Sequence, residues 1–263
     1  MMTRPTLTVA MLTLGLCLSG HHAQASEFIA RGSDSTIQLM RTLADAYKTQ
    51  GGAHVRIEGG GSSKGAKDCL AGEIPLAFLS RALNQEENDA GLKGVSYAFD
   101  GVVVIVSTAN PVVNLTTDEL KSFFAGETAQ WPDGKPVVLI DRNHNSGTRD
   151  VFIDAVMGKT AVSPKAMVKH DALIESTVEK TPTAIGYTSG GAVGTGVKHL
   201  TINGVAPSAE TIRQKTYPLA RSLTLATKGE PTAEVKAFID YVLSEQGQTV
   251  VATAGGYVRM QAK

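Results

Sequence analysis

The sequence predicts an α/β protein, one large lobe or two modest ones, on three observations. Short β-rich runs alternate with amphipathic helical ones. Two runs, Val102-Val103-Val104-Ile105-Val106 and 137–140, are apolar enough to be central strands buried on both faces. Hydrophobic residues make up 42% of the chain, sufficient to fill such cores and incompatible with disorder.

The first 25 residues are expected to be an export signal. Arg4 precedes an apolar run over 7–18, which is followed by Ala23-Gln24-Ala25, a small-x-small cleavage site. The apolar run is about a dozen residues long where a membrane span needs ~20. Leu16 precedes Cys17 where lipid attachment wants a small residue, so no acylated N-terminus is expected. The mature chain then begins near Ser26. Cys69 is left without an intrachain partner, and its place on a helix marks it as a buried structural thiol.

Beyond the leader, 27–30 reads as a strand and 37–47 as a helix. Leu39, Leu43 and Ala46 form the apolar stripe of that helix, widened by Met40, Ala44 and Tyr47. A strand at 55–57 leads to a helix at 64–70. The strand at 102–106 lies between Asp100-Gly101 and Asn110-Pro111. After the strand at 137–140, a helix face carrying Val151, Phe152, Ile153, Val156 and Met157 ends at Gly158. The chain then reads as looser, with five glycines between Gly186 and Gly196, and 203–215 reads as a surface excursion. A strand at 223–227 and helices at 233–243 and 245–254 close the sequence, the first with Val235, Phe238, Ile239 and Val242 inward.

Basic and acidic residues number 25 each, and removal of Arg4 with the leader tips the balance to minus one. Any anion site must therefore be built locally, and a nucleic-acid binder, which would show a basic excess, is disfavoured. His54, His144, His170 and His199 are isolated, with no His-x-x-x-His or carboxylate cluster, so neither a metal nor another cofactor is expected.

Three segments share one plan: a strand, then glycine, serine or threonine, then the first turn of a helix. The first amides of a helix lack intrahelical acceptors and carry a partial positive charge, so an oxyanion docks there without lysine. Ala30-Arg31-Gly32-Ser33-Asp34-Ser35 is the first, and capping by Ser33 or Asp34 explains it nearly as well. Gly59-Gly60-Gly61-Ser62-Ser63-Lys64-Gly65 is the second, and a flexible turn is its alternative. It is no Walker loop, because Lys64 precedes Gly65. The third, Asp141-Arg142-Asn143-His144-Asn145-Ser146-Gly147-Thr148-Arg149, is the most specific: Arg142 supplies a fork-shaped cation, and an arginine beside Ser-Gly-Thr has little capping rationale.

These segments, in this order, resemble the phosphate-binding proteins of bacterial phosphate-uptake ABC transporters. The resemblance runs over nearly the whole mature chain and includes Leu79-Ser80-Arg81, Asp100-Gly101-Val102, Phe124-Ala125-Gly126, Ala184-Ile185-Gly186-Tyr187, Tyr217-Pro218-Leu219-Ala220-Arg221 and Gly256-Tyr257-Val258. It implies a two-lobed type II periplasmic binding protein, each lobe a mixed sheet flanked by helices, with ligand in the interlobe cleft. One lobe would take 26–98 plus 217–263, the other 99–216. It further implies a periplasmic monomer that binds inorganic phosphate without turnover and delivers it to a membrane permease. The matching positions make Ser33, Asp34, Ser35, Ser62, Ser80, Arg142, Ser146, Gly147 and Thr148 the expected ligand-binding residues.

One departure matters. Some members place at the position of Ser80 an aspartate that accepts a hydrogen bond from protonated phosphate. Asp34, where relatives commonly carry threonine, is the candidate to replace it, with a plain helix cap as its alternative. Arg81 and Arg149 either add charge to the cleft or brace it through Asp100, Asp141 or Asp150. Trp131 and Tyr187 read as packing residues. A secreted phosphoester hydrolase is the rival class, but Ser146 lacks a Gly-x-Ser-x-Gly elbow and an evident histidine partner, His144 being two residues away in the same loop. A sensor or adhesin on the same fold would keep the ligand and change the partner.

Overall fold

The computed structural model describes residues 27–190 and 194–260; the expected leader lies outside them. Strand β1 (Glu27–Gly32) passes through a 3-10 turn (Asp34–Thr36) into α1 (Ile37–Thr49). Strand β2 (His54–Glu58), helix α2 (Ser62–Ala71) and strand β3 (Leu76–Leu79) follow, and β1 pairs in parallel with both β2 and β3. The capped helix α3 (Gln85–Asp89) then leads into β4 (Leu92–Ser107).

The middle of the chain contains β5 (Asn114–Leu115), α4 (Thr117–Ala125), β6 (Val138–Arg142) and α5 (Gly147–Phe152), the last extended by a π-helical turn (Ile153–Met157). It continues as β7 (Met167–Lys169), α6 (Asp171–Lys180), β8 (Ala184–Ser189), β9 (Val197–His199), β10 (Thr201–Ile202) and α7 (Ala209–Arg213). The final elements are β11 (Ala220–Lys228), α8 (Ala233–Leu243), α9 (Glu245–Thr253) and β12 (Val258–Arg259).

The main sheet runs β2-β1-β3-β11-β4-β8-β6-β7. Strand β4 serves both halves: residues 92–101 pair antiparallel with β11, and 102–107 with β8 and β9. Each half is a sheet between two layers of side chains. In the first, Leu39, Leu43, Phe238 and Val251 from α1, α8 and α9 cover one face, while Ala66 and Cys69 of α2 cover the other. In the second, Phe124, Phe152 and Val156 cover one face, and Ile174 and Val178 of α6 the other. Phe152 stacks on Tyr187 with ring centroids 4.0 Å apart, and Phe124 packs edge-on against both. Offset and edge contacts of this kind add about 1 kcal/mol each beyond area burial. Tyr217 and Leu219 also pack into the second half, and Tyr217 Oη donates to the Val102 carbonyl at 3.0 Å.

Several expectations need correction. Asp100-Gly101 does not end a strand; β4 continues back to Leu92, because β11 supplies nine residue pairings along that stretch. Helix α2 begins two residues early, at Ser62, since Gly61 at φ 95° takes the cap position. Residues 191–193 of the glycine-rich stretch lie outside the described residues; among the described ones, the chain after Gly158 is more ordered than its glycines suggest. Strand β8 is buried throughout and lies between β4 and β6, and α6 packs over it through Ile174 and Val178. Gly186 lacks a side chain where Val178, Ile140 and Ile174 close in, so the glycine there serves packing rather than looseness. In the expected surface excursion, α7 buries Ile212 while most of the segment is exposed.

Candidate functional site

The carboxyl ends of β1, β2, β3 and β6 point toward one crevice, the place where open α/β sheets put their ligands. All three strand-to-helix segments meet there. The first and second join through the Gly61 amide, which donates to the Gly32 carbonyl at 2.9 Å, and the Gly60 amide, which donates to Asp34 Oδ1 at 2.8 Å. The second and third join where the Ser63 amide donates to the Asn145 carbonyl at 3.2 Å. A side chain on Gly61 would place its Cβ 2.3 Å from that carbonyl, so only glycine permits both the φ of 95° and the approach.

Arg142 is the last residue of β6, and its side chain is 1% exposed. Its Nη1 and Nη2 reach Ser35 Oγ at 3.4 and 3.5 Å, and Nη1 pairs with Asp171 Oδ1. Its Nε has no hydrogen-bond partner among the described residues. Burial pushes the guanidinium down from its usual range, and the negative charge of Asp171 opposes that shift.

Ser35 Oγ lies 2.9 Å from Thr148 Oγ1 and donates to Asp171 Oδ1 at 2.8 Å. Arg221 Nη1 donates to Thr148 Oγ1 at 2.9 Å, and Arg221 Nη2 pairs with Asp100 at 2.5 Å. The ends of this chain set its polarity. Arginine only donates and an ionised carboxylate only accepts, so the protons run from Arg221 to Thr148 to Ser35 to Asp171.

The remaining expected residues divide by role. Ser62 Oγ accepts from the Ser80 amide at 3.0 Å and lies 3.3 Å from Ser80 Oγ, and both side chains are buried. Gly147 abuts that pair: a Cβ there would stand 2.3 Å from Ser62 Oγ and 2.8 Å from Ser80 Oγ. Ser146 caps α5, its Oγ accepting from the Arg149 amide at 3.2 Å. Ser33 is buried with its amide donated to Phe78, and its side chain forms no cap. Asp34 and Asp171 line the mouth of the crevice together with Gly60, Asn143, Asn145 and His170.

Both ambiguous arginines brace. Arg149 Nε donates to Asp141 Oδ2 at 3.1 Å. Arg81 forks onto both oxygens of Glu87 at 2.7 Å and donates from Nε to Asp150 at 2.7 Å, tying β3 to α5. Tyr187 donates its hydroxyl to Asp141, and burial together with that carboxylate holds the phenol well above its ordinary range. A separate cavity of about 740 Å³ lies behind Arg81, Arg149 and Arg221, whose guanidinium groups are already committed to Asp150, Asp141 and Asp100.

Two residues of the cluster escaped sequence reasoning. Arg221 lies in Tyr217-Pro218-Leu219-Ala220-Arg221, a segment that only the resemblance marks. Asp171 opens a helix that went unseen, although Ile174 and Val178, four apart, were its periodic signal. Among the described residues no group of three or more His, Cys, Asp or Glu side chains is placed to hold a metal ion.

A crevice of this kind, between two sheet-and-helix lobes that share a long strand, defines a type II periplasmic binding protein. The chain belongs to the PBP superfamily, whose domain model matches residues 19–246. It is similar to a Clostridium perfringens structure with bound phosphate, described as the substrate-binding protein of a phosphate ABC transporter. Identity is 32% and the TM-score 0.85, over 90% of this chain and all of that one. An ABC-type phosphate transport receptor from Vibrio cholerae is 27% identical with a TM-score of 0.77, over 89% of this chain and all of its own. The phosphate-binding protein PstS of Borreliella burgdorferi is 26% identical over 97% of this chain and 98% of its own.

Proposed function

We propose that the chain captures inorganic phosphate in the periplasm for an ABC importer, after export by the leader at 1–25. The observation that carries this reading is the meeting of Ser35 from the first segment with Arg142 and Thr148 from the third in one largely buried cluster, in a chain similar along its length to a phosphate-bound structure. Ser33, Asp34, Ser35, Ser62 and Ser80 belong on this proposal to the lobe formed by 26–98 and 217–263. Arg142, Ser146, Gly147 and Thr148 belong to the lobe formed by 99–216, which also borrows Tyr217 and Leu219 for its core. Phosphate held by both lobes stabilises closure, because the closed form alone makes both sets of contacts. The donor set of hydroxyls, helix-start amides and one arginine binds an oxyanion without a nucleophile or a metal to turn it over. The chain would act as a monomer that presents the closed form to a membrane permease. Among the described residues no helix is long and apolar enough to cross a membrane.

Calorimetry of the mature protein with phosphate, arsenate and sulfate tests the reading. Phosphate and arsenate should bind, and Arg142→Ala should weaken phosphate by at least about a hundredfold, the loss of two charge-assisted bonds. A wild-type protein that binds neither tetrahedral anion rules the proposal out.

A further inference from the structure

We propose that Asp171 is the carboxylate by which the crevice distinguishes a protonated oxyanion from a fully ionised one. This rests on the phosphate-binding reading and adds to it the residue that sets selectivity.

The geometry begins with shared donors. Asp171 Oδ1 takes the hydroxyl of Ser35 at 2.8 Å and the Nη1 of Arg142, which are two of the donors an oxyanion in the crevice would use. An anion seated on Arg142 and Ser35 therefore brings one of its oxygens against Asp171. Two oxygens that both bear negative charge repel when brought into contact, and with less solvent screening in a crevice where the guanidinium is 1% exposed than in open water. A proton on the anion converts the repulsion into a hydrogen bond, with the anion donating and Asp171 accepting. Phosphate and arsenate keep a proton at neutral pH; sulfate has none to offer.

The other nearby carboxylates are engaged elsewhere. Asp34 Oδ1 accepts from the Gly60 amide. Asp141 serves Tyr187, Arg149 and the Arg142 amide. Asp150 holds Arg81, and Asp100 holds Arg221, Ser189 and the Gly101 amide. Asp171 touches Arg142 and Ser35 together and lies at the mouth, with its side chain 20% exposed. As the first residue of α6, it also stands beside the unpaired amides of the helix N-terminus.

The test measures affinities of the mature wild-type protein, Asp171→Asn and Asp34→Asn for inorganic phosphate, arsenate and sulfate, with unfolding midpoints recorded for each. Asparagine keeps the size of Asp171 but gains a donor. Asp171→Asn should lose at least about tenfold of the preference for phosphate over sulfate, through new sulfate binding, with arsenate tracking phosphate, whatever the midpoint loses through the weakened pair with Arg142. A charge at α6 with only a structural role would move the midpoint and leave the ratio alone. An unchanged ratio in Asp171→Asn, or a loss confined to Asp34→Asn, overturns the proposal. Absence of phosphate and arsenate binding in the wild type overturns instead the reading beneath it, so the two failures are told apart.

Discussion

Gly147→Ala should leave the lobes folded and prevent them from closing. The backbone at Gly147 lies in the first turn of α5 at ordinary helical angles, so alanine is locally favoured there by about 0.5–1 kcal/mol. The obstacle is across the crevice. The new Cβ would stand 2.3 Å from Ser62 Oγ and 2.8 Å from Ser62 Cβ, where ordinary contact begins at 3.4 Å. Ser62 is fully buried and its Oγ is fixed by the Ser80 amide, so it cannot swing aside cheaply. Relief requires the two sides to part by roughly 1 Å, which stretches the Ser35–Thr148 contact of 2.9 Å and the Ser63–Asn145 bond of 3.2 Å beyond hydrogen-bonding range. An anion gripped from both sides then loses the contacts of one. With charge-assisted bonds at about 1.5–3 kcal/mol, the expected penalty is ten- to a hundredfold in Kd. Calorimetry with inorganic phosphate measures it, alongside the thermal midpoint without phosphate, which should match wild type or exceed it slightly. Binding within about threefold of wild type would refute the idea that Gly147 is small in order to let the crevice close.

Two further perturbations probe the frame around the site. Asp100 and Arg221 are a fully buried pair, at 0% and 2% side-chain exposure, so Arg221→Met strands a carboxylate and should cost about 3–5 kcal/mol. Urea unfolding of the two single variants and of the double variant with Asp100→Asn should show the double losing less than the sum of the singles. Asp68 tests the charge network under β1: burial pushes its carboxyl up, but Lys64 at 2.8 Å and Arg31 at 2.6 Å outweigh burial and hold it below its usual value of 3.8. The folded-state value thus lies below the unfolded one, and the stabilisation is present above pH 3.8 and lost as pH falls through the depressed value. Asp68→Asn should therefore destabilise by about 2 kcal/mol at pH 7, with the difference from wild type shrinking in acid. An equal deficit at both pH values would contradict that coupling.

Much was legible in the residues themselves. The apolar run at Val102–Val106 marked a buried central strand because no other role suits five consecutive β-branched residues. The segments around Ser35, Ser62 and Arg142 share glycine, hydroxyl and helix start, a pattern that suits an oxyanion, and the resemblance sets all three on one known architecture. Reach and pairing were beyond local pattern. That β4 extends back through Asp100-Gly101 depends on β11, about 120 residues later, lying beside it. That Gly186 is a packing position depends on α6 crossing above it. The arginines showed the same limit: guanidinium groups at Arg81 and Arg149 suit an anion equally well, and only the proximity of Asp150, Glu87 and Asp141 commits them to bracing. Asp171 is the sharpest case. Nothing in its local sequence distinguishes it from a solvated helix-start carboxylate, and only the fold brings it to Arg142 and Ser35, because ion pairing depends on distance in space rather than along the chain.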